Sequence, residues 1–173
     1  MEAVNKRLLK TGDIKNWDKT TLCSIIGQDK GNAIEYATTE WPKHYPDNFS
    51  GLSEKWESLV YRYLPRKDHF DLAIWQEVNG TQVLVALALG NPSHARTHLT
   101  VKWIERYFGE HYLQGRALWP ILTCAEEYAK LLGCERVLIK DAVDSGKYRR
   151  YGYSDYHHEH VAHGGNYLGK ELK

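Results

Sequence analysis

The hydrophobic pattern of the first seventy residues predicts helices. A helix is predicted over residues 32–41, and a second one is predicted to follow Ser53, a residue type favoured as an N-cap. Apolar residues recur along the second helix at i, i+3, i+4 and i+7, namely Trp56, Leu59, Val60 and Tyr63. Pro65 ends that helix, and the Pro-, Asn- and Gly-containing segment 42–51 between the helices is predicted to be a long loop. The first thirty residues follow no clear pattern.

The middle of the chain switches to strand periodicity. Residues 70–78 and 81–89 predict two antiparallel strands joined by a two-residue turn at Asn79-Gly80. Residues 83–89 are apolar on both faces, which places this strand in the interior of a sheet. A turn is predicted over 90–93, and a further strand, rich in β-branched and aromatic residues, is predicted over 99–108.

The last third predicts a change in connection. Apolar residues at helical spacing predict an amphipathic helix over 118–132, with Gly133 as its end. A strand over 136–142 follows, and a strand–helix–strand order implies a parallel pair with a crossover. A short helix over 144–151 and two strands, 154–163 and 167–172, complete the chain. The fold class is therefore α/β, with a mixed, mostly antiparallel twisted sheet and helices on both faces, in one domain spanning residues 1–173.

Composition narrows the function classes. Lys plus Arg number 23 and Asp plus Glu 22, which gives no electrostatic case for a nucleic-acid or membrane partner. The cations and tyrosines of 147–153 could stack on single-stranded nucleic acid, but the neutral balance disfavours this. The first residues lack an apolar h-region, so no signal peptide is predicted, and three cysteines without metal-ligand spacing predict reduced thiols in the cytoplasm. Six Trp and twelve Tyr can fill the core, line a pocket or form a homodimer contact.

Two segments carry candidate chemistry. Gln114-Gly115-Arg116-Ala117 opens the 118–132 helix, and a helix N-terminus presents unpaired amides to which phosphates bind readily. Taken alone, this turn can equally be an ordinary helix entrance. Tyr148 lies in Tyr148-Arg149-Arg150-Tyr151-Gly152-Tyr153, and a tyrosine in hydrogen-bond reach can protonate a thiolate, although taken alone it can equally be a core residue.

In this order the two segments resemble those of the GNAT superfamily of N-acetyltransferases. The superfamily carries Gln/Arg-x-x-Gly-x-Gly/Ala at the loop. Segment 112–117 matches its last two fixed positions, Gly115 and Ala117, whereas Tyr112 replaces Gln or Arg. The superfamily motif Tyr-Glu-Lys-x-Gly-Phe resembles 148–153. The resemblance covers 70–173 as the coenzyme-binding core, and 1–69 form the variable N-terminal helical part.

The resemblance implies roles for particular residues. Backbone groups of 104–108, including Tyr107 and Phe108, would hold the pantetheine arm of acetyl-coenzyme A, and an amide near Tyr107 would stabilise the oxyanion. The loop would hold the pyrophosphate through the residues Tyr112, Gln114, Gly115, Arg116 and Ala117. Tyr148 would be the general acid. Asp141 and Asp144 stand where Asn and Ala are common, and acidic residues are unexpected near coenzyme phosphates.

Other titratable residues are candidates for the acceptor site. Glu105 lies on the strand that would line the site and is the first candidate for the base, although it can equally face solvent; His98 is a weaker one. A dense His cluster spans 157–163, where His158 and His160 share one strand face and are the predicted substrate-binding residues. Metal binding or an exposed polar strand are the alternatives; no fixed zinc spacing appears, and no metal is predicted.

Together these features predict a cytoplasmic acetyl-coenzyme A-dependent N-acetyltransferase acting on a primary amine of a small molecule. The alternative is a GNAT-fold protein with impaired catalysis that serves as a coenzyme-binding or interaction module. The altered position Tyr112 and the acidic pair Asp141 and Asp144 motivate that alternative.

Overall fold

The computed structural model describes residue 4 and residues 16–25, 32–63, 65–157 and 165–173. These residues form one seven-stranded sheet with the order β1-β2-β3-β4-β5-β7-β6. The strands are β1 (Thr20–Cys23), β2 (Phe70–Val78), β3 (Thr81–Pro92), β4 (His98–Arg106), β5 (Arg136–Lys140), β6 (Ser154–Tyr156) and β7 (Tyr167–Glu171). The α-helices are α1 (Ala33–Thr39), α2 (Trp56–Tyr63), α3 (Leu118–Leu131) and α4 (Ser145–Arg149). Short 3-10 turns cover Trp17–Lys19 and Trp41–His44.

The sheet is antiparallel except for one junction. β4 pairs with β5 in parallel, and α3 connects them, as the strand–helix–strand order predicts. Every other neighbouring pair is antiparallel. The predicted α/β class with a mixed, mostly antiparallel sheet is therefore confirmed, and the apolar strand β3 lies in its interior.

Two hydrophobic cores cover opposite faces of the sheet. Successive β2 side chains alternate between them, so that Ile74 packs with α3 while Ala73 packs with α1 and α2. On the α3 side, Leu113 and Ile121 are almost fully buried. On the other side Trp41 is fully buried, and its indole N–H donates to the Leu84 carbonyl at 2.9 Å. Helices therefore lie on both faces, as predicted.

Local signals account for the elements that were placed correctly. Asn79 and Gly80 both have positive φ, 50° and 78°, as a two-residue hairpin turn requires. Pro120 falls in the first turn of α3, where its missing N–H costs nothing, and Gly133 follows the helix with φ 76°.

Two expectations are wrong, one strand was not expected, and one predicted strand is described only in part. The predicted turn at 90–93 is wrong, because β3 runs to Pro92 in register with β4 and the chain turns only from Ser93 to Arg96. Ser53 does not cap α2, which begins at Trp56. β1 was not predicted, and it pairs with β2 at the edge of the sheet. Of the predicted strand 154–163, β6 forms only Ser154–Tyr156, and residues 158–164 lie outside the described part of the chain.

Candidate active site at the parting of β4 and β5

The central feature is a gap between the two parallel strands. β5 pairs with β4 only over His98–Val101, while β4 continues to Arg106. In the pairing of β4 with β3, Gly90 stands opposite Val101 and Leu89 opposite Trp103, so Lys102 is an extra, bulged residue. Beyond the bulge, no strand among the described residues pairs with the β5-facing edge of β4. Its N–H and C=O groups on that edge can therefore bind an extended ligand.

Gly90 permits the bulge. A Cβ atom at Gly90 would lie 2.4 Å from the carbonyl oxygen of Thr100, closer than real side chains come. The two backbones approach so closely there that a side chain is excluded.

The loop after β4 presents unpaired amides. Gly115 has φ 72°, and a Cβ placed on it would meet nothing within 4 Å, so the turn is open. No acceptor among the described residues bonds the main-chain N–H groups of Gln114, Gly115 and Ala117, whereas that of Arg116 donates to the Leu113 carbonyl at 2.9 Å. Ala117 is the N-cap of α3, where the helix dipole adds partial positive charge. This arrangement fits an anionic group such as a pyrophosphate.

Two side chains hold the start of this loop. Gln76, fully buried on β2, accepts from the Tyr112 N–H at 3.0 Å and donates to the Thr20 hydroxyl at 2.8 Å. His111 accepts from the Leu113 N–H through Nδ1 at 3.1 Å. Burial lowers the pKa of His111 to about 4, so the ring is neutral at physiological pH and Nδ1 stays an acceptor. The loop is therefore fixed before any ligand binds.

Tyr107 does not offer its amide to a ligand. Its N–H donates to the Val85 carbonyl at 2.8 Å, so the amide expected near Tyr107 to stabilise an oxyanion has to be that of a neighbouring residue. Because N–H groups alternate along an extended strand, those of Arg106 and Ile104 point to the opposite, β5-facing edge. The Tyr107 ring lies against Gly109, where a Cβ would come within 2.3 Å of it, and stacks edge-on with His44.

Glu105 is buried beneath the N-terminal segment, by which we mean the residues from Tyr45 to Trp56. Only 4% of it is exposed, which rules out the solvent-facing alternative. Its carboxylate accepts from the Tyr45 hydroxyl and from the Trp56 indole N–H, both at 2.6 Å. Burial raises the pKa of Glu105, although the two hydrogen bonds oppose the shift. A carboxylate with a raised pKa can accept a proton near neutral pH.

An aromatic cluster borders this carboxylate. Tyr45, Phe49 and Phe108 contact one another, with ring centroids 5.0 to 6.1 Å apart. The Arg106 guanidinium lies 4.4 Å from the centre of the Phe108 ring. The ring of Phe108, a residue predicted to contact the coenzyme through its backbone, therefore packs against Tyr45 and Phe49. The ring of Tyr112, another predicted contact, has its centre 6.0 Å from the Lys19 ammonium.

Tyr148 lies on the other side of the sheet. It is on α4, half-buried against the core that α3 covers, 6.5 Å from the Tyr153 ring between centroids. Burial, with a smaller effect of Asp144, raises the pKa of its phenol to about 12. The hydroxyl is therefore a protonated donor, and no residue within the described ranges bonds it. α4 follows β5 and the Gly115 loop follows β4, so parallel pairing puts Tyr148 and the loop at the same end of the sheet.

The unexpected acids have structural partners. Asp141 accepts from the Asn166 N–H at 3.1 Å, and its own N–H donates to the Asn166 carbonyl at 2.7 Å, which fixes the start of β7. Asp144 is the N-cap residue of α4 and pairs with Lys147 at 3.2 Å. These contacts explain both acids without a role toward a coenzyme.

The histidine segment is only partly visible. His158 and His160 lie outside the described residues, so their predicted substrate role stays a prediction. A cavity of about 390 Å³ lies between the start of α4 and the ends of β6 and β7, and Asp155, His157 and Asn166 are among its lining residues. Within the ranges described, no group of three or more His, Cys, Asp or Glu could hold a metal ion.

Sequence reasoning missed four residues of the site, namely Tyr45, Trp56, Gln76 and His111. Trp56 was recognised only as part of an apolar stripe, and no local signal marks its indole N–H as a partner of Glu105. The signal for Gln76 was available, since a polar amide inside an otherwise apolar strand needs a buried partner.

Comparisons with solved structures identify the fold. An N-acetyltransferase, PaiA from Thermoplasma acidophilum, in complex with coenzyme A, has a TM-score of 0.55 at 15% identity, covering 88% of this chain and 99% of that one. Spermidine N-acetyltransferase from Vibrio cholerae, a dodecamer, has a TM-score of 0.56 at 11% identity, covering 89% and 94%. Ard1 from Thermoplasma volcanium has a TM-score of 0.54 at 11% identity, covering 90% and 99%. The chain therefore has the fold of GNAT acyltransferases.

Other comparisons add no further assignment. No protein-family model matches the chain. No curated protein matches it either. Among the described helices, none has the length and apolar character needed to span a membrane.

Proposed function

We propose that this protein is an acetyl-coenzyme A-dependent N-acetyltransferase that acts on a primary amine of a small molecule. The observation that carries the proposal is the open loop at Gly115, which lies beyond the end of β4 and has three amides that no described residue bonds. The edge of β4 that leads to this loop faces the gap to β5. Pyrophosphate on this loop would place the extended pantetheine arm along that edge. Acetyl-coenzyme A would supply the acyl group as a thioester.

The two proposed proton-transfer groups lie on opposite faces of the sheet. Glu105 belongs to the face covered by α1 and α2, and Tyr148 to the face covered by α3. An amine entering beside the N-terminal segment would therefore meet the thioester in the gap with a base on its own side. The acid would lie on the side of the departing thiolate, and such positioning supplies a large part of catalysis.

Glu105 would accept the proton that the ammonium must lose. The Tyr45 hydroxyl already donates to the carboxylate, so it can pass its proton to Glu105 while it accepts one from the amine or an intervening water. An amide of Arg106 or Ile104 on the free edge would stabilise the oxyanion. Tyr148 would protonate the thiolate: burial raises the pKa of its phenol to about 12, which keeps the proton on the hydroxyl, and a thiolate leaving group needs little acid assistance.

Burial supports a small acceptor. Glu105 and Trp56 are both almost inaccessible to solvent, so a bulky surface could not reach the base without opening the N-terminal segment. A free amine on a small molecule needs less room to approach the carboxylate.

A direct test combines binding with turnover. We expect acetyl-coenzyme A to raise the melting temperature of the protein, and a panel of primary amines to yield at least one acceptor that releases free thiol. Absence of stabilisation at saturating acetyl-coenzyme A would overturn the proposal. Binding without thiol release from any amine would instead favour the alternative of an impaired, coenzyme-binding protein. The observation that favours this alternative is Tyr112, which stands where the superfamily motif has Gln or Arg.

A further inference from the structure

The bulged residue of β4 is a cation that forms no ion pair with a described residue. Lys102 is half-buried at the point where β4 and β5 part, and no carboxylate among the described residues pairs with it. Burial lowers the pKa of its ammonium, and the positive charges of Arg66, Lys140 and Arg62 lower it further. A half-buried charge surrounded by like charges is unfavourable unless an anion compensates it.

Lys140 faces the same space from β5. Val137 and Ile139 belong to the core under α3, so the alternation of side chains turns Lys140 to the opposite face. A Cβ on Gly165 would lie 3.2 Å from Lys140 Cε, which places the lysine stem at the start of β7. Lys102 and Lys140 therefore lie on either side of the point where β4 and β5 separate.

The end of α2 contributes two more cations. Trp103 on β4 packs in the same hydrophobic core as Tyr63, which holds this end of the helix beside the bulge. The Arg66 guanidinium lies 5.4 Å from the centre of the Tyr63 ring. We name the set of Arg62, Arg66, Lys102 and Lys140 the cationic rim.

Acidic neighbours neutralise only half of the cationic rim. Glu54 pairs with Arg62, and Asp141 lies 3.9 Å from Lys140. Among the described residues, no carboxylate pairs with Lys102 or Arg66. The remaining positive charge attracts an anion to the α2 side of the gap.

The position separates this site from the pyrophosphate loop. The loop leads into α3 on one face of the sheet, whereas the cationic rim lies on the face covered by α2, which also holds Glu105. Glu105 is three residues beyond Lys102 on β4, or about 10 Å along an extended strand. A small molecule can therefore reach both residues at once.

We propose that the acceptor is a small amine that also carries an acidic group, a carboxylate or a phosphate, which the cationic rim binds while the amine lies near Glu105. This inference rests on the proposed acetyltransferase function and specifies its substrate class. An acidic group at the rim would supply the counter-charge that Lys102 and Arg66 lack.

The test uses matched pairs of amines in a thiol-release assay. One pair is 4-aminobutanoate and 4-aminobutanamide, and the other is phosphoethanolamine and ethanolamine. For at least one pair we expect the acidic member to have a kcat/KM at least tenfold higher than its neutral partner, and the pair that shows it identifies carboxylate or phosphate. In Lys102→Met this preference should be lost through a higher KM for the acidic member. Lys140→Met provides a second variant and should reduce the preference.

Lys130→Met is the matched control, because it removes the same charge from the exposed face of α3. It should keep the preference, and all three variants should bind acetyl-coenzyme A within about twofold of the unmodified protein. Equal kcat/KM within both pairs, or a preference that survives Lys102→Met, would overturn the inference while leaving acetyl transfer intact. Weaker coenzyme binding in Lys102→Met would overturn it too, by assigning the rim to coenzyme phosphates. Failure of the unmodified protein to bind acetyl-coenzyme A would overturn the proposed function itself, and the inference with it.

Discussion

Single residues would set the proton chemistry of the proposed site, and burial shifts the pKa values of two of them in the same direction. Glu105 and Tyr148 are both acids whose pKa values are raised because the charged form loses hydration. The consequence differs with the role. A raised pKa makes a carboxylate a better base near neutral pH, while it keeps a phenol protonated.

Replacing Tyr148 by Phe should lower kcat by roughly 10²-fold while the affinity for acetyl-coenzyme A changes little. The ring stays in the core and only the proton donor is lost. Tyr151→Phe is the matched control, since Tyr151 packs against the same core. Steady-state kinetics and a binding titration measure the two effects, and an unchanged kcat would remove Tyr148 from the acid role.

Replacing Glu105 by Gln should lower kcat/KM by at least 10²-fold and remove an acidic limb from its pH profile. A base works only when deprotonated, so activity of the unmodified protein should fall as the pH drops below the pKa of Glu105. Because burial raises that pKa, the limb lies at higher pH than for an exposed glutamate. A limb that persists in Glu105→Gln would show that another group is the base.

At the scale of elements, the loop at Gly115, which we propose binds pyrophosphate, is the part whose geometry matters most. It lies between the end of β4 and the start of α3, and its left-handed Gly115 turns the neighbouring amides outward. The two amides before this turn are already bonded, since Tyr112 donates to Gln76 and Leu113 donates to His111. The loop therefore owes its shape to β2 as well as to its own glycine.

Gly115→Val should weaken binding of acetyl-coenzyme A at least tenfold. A β-branched residue at φ 72° is strained by about 1–2 kcal/mol even in open space, so the turn should change shape. Gly133→Val is matched, because Gly133 also has positive φ and open space and lies at the other end of α3. Both variants should lose similar thermal stability, and an equal loss of coenzyme affinity would argue against a specific role for Gly115.

His111 should make the stability of the protein depend on pH. Its pKa falls from 6.5 to about 4 on folding, so the unfolded chain binds the proton more readily. The contribution of His111 to the free energy of unfolding is therefore fully present above pH 6.5, and it should decline by about 3 kcal/mol as the pH falls to about 4. His111→Asn retains an acceptor for the Leu113 N–H but does not titrate, so urea denaturation at several pH values should show a smaller decline. Parallel curves for the two proteins would contradict this.

The sequence predicts those elements whose signals are local. The hairpin follows from Asn79-Gly80, and α3 follows from its apolar stripe with Pro120 and Gly133. By contrast, the burial of Glu105 depends on Tyr45 and Trp56, which are 60 and 49 residues away along the chain. The bulge at Lys102 depends on register with β3, so neither could be inferred from neighbouring residues.

At the scale of the whole molecule, one buried ion pair connects the helix that follows the loop to the end of the sheet. Glu126 on α3 accepts from the Lys170 ammonium on β7 at 2.8 Å and from the Tyr153 hydroxyl at 3.2 Å. The Glu126 side chain is 4% exposed and that of Lys170 25%. These contacts attach α3 to β7, which lies on the side of β5 away from β4, although α3 itself connects β4 to β5.

Breaking this pair should destabilise the fold more than breaking an equally short pair on the surface. Lys170→Met removes the ammonium that pairs with the buried Glu126 carboxylate, which should cost about 3–5 kcal/mol of unfolding free energy. The surface pair Glu40–Lys43 is also 2.8 Å long but 39% and 60% exposed, so Lys43→Met should cost less than about 1 kcal/mol. Urea denaturation measures both.

The double variant Glu126→Gln with Lys170→Met separates the two contributions to that cost. A neutral amide can still accept from the Tyr153 hydroxyl, so the double variant should be more stable than Lys170→Met alone. If the double variant is instead as unstable as the sum of the single changes, the two charges do not interact. The attachment of α3 to β7 would then rest on apolar packing alone.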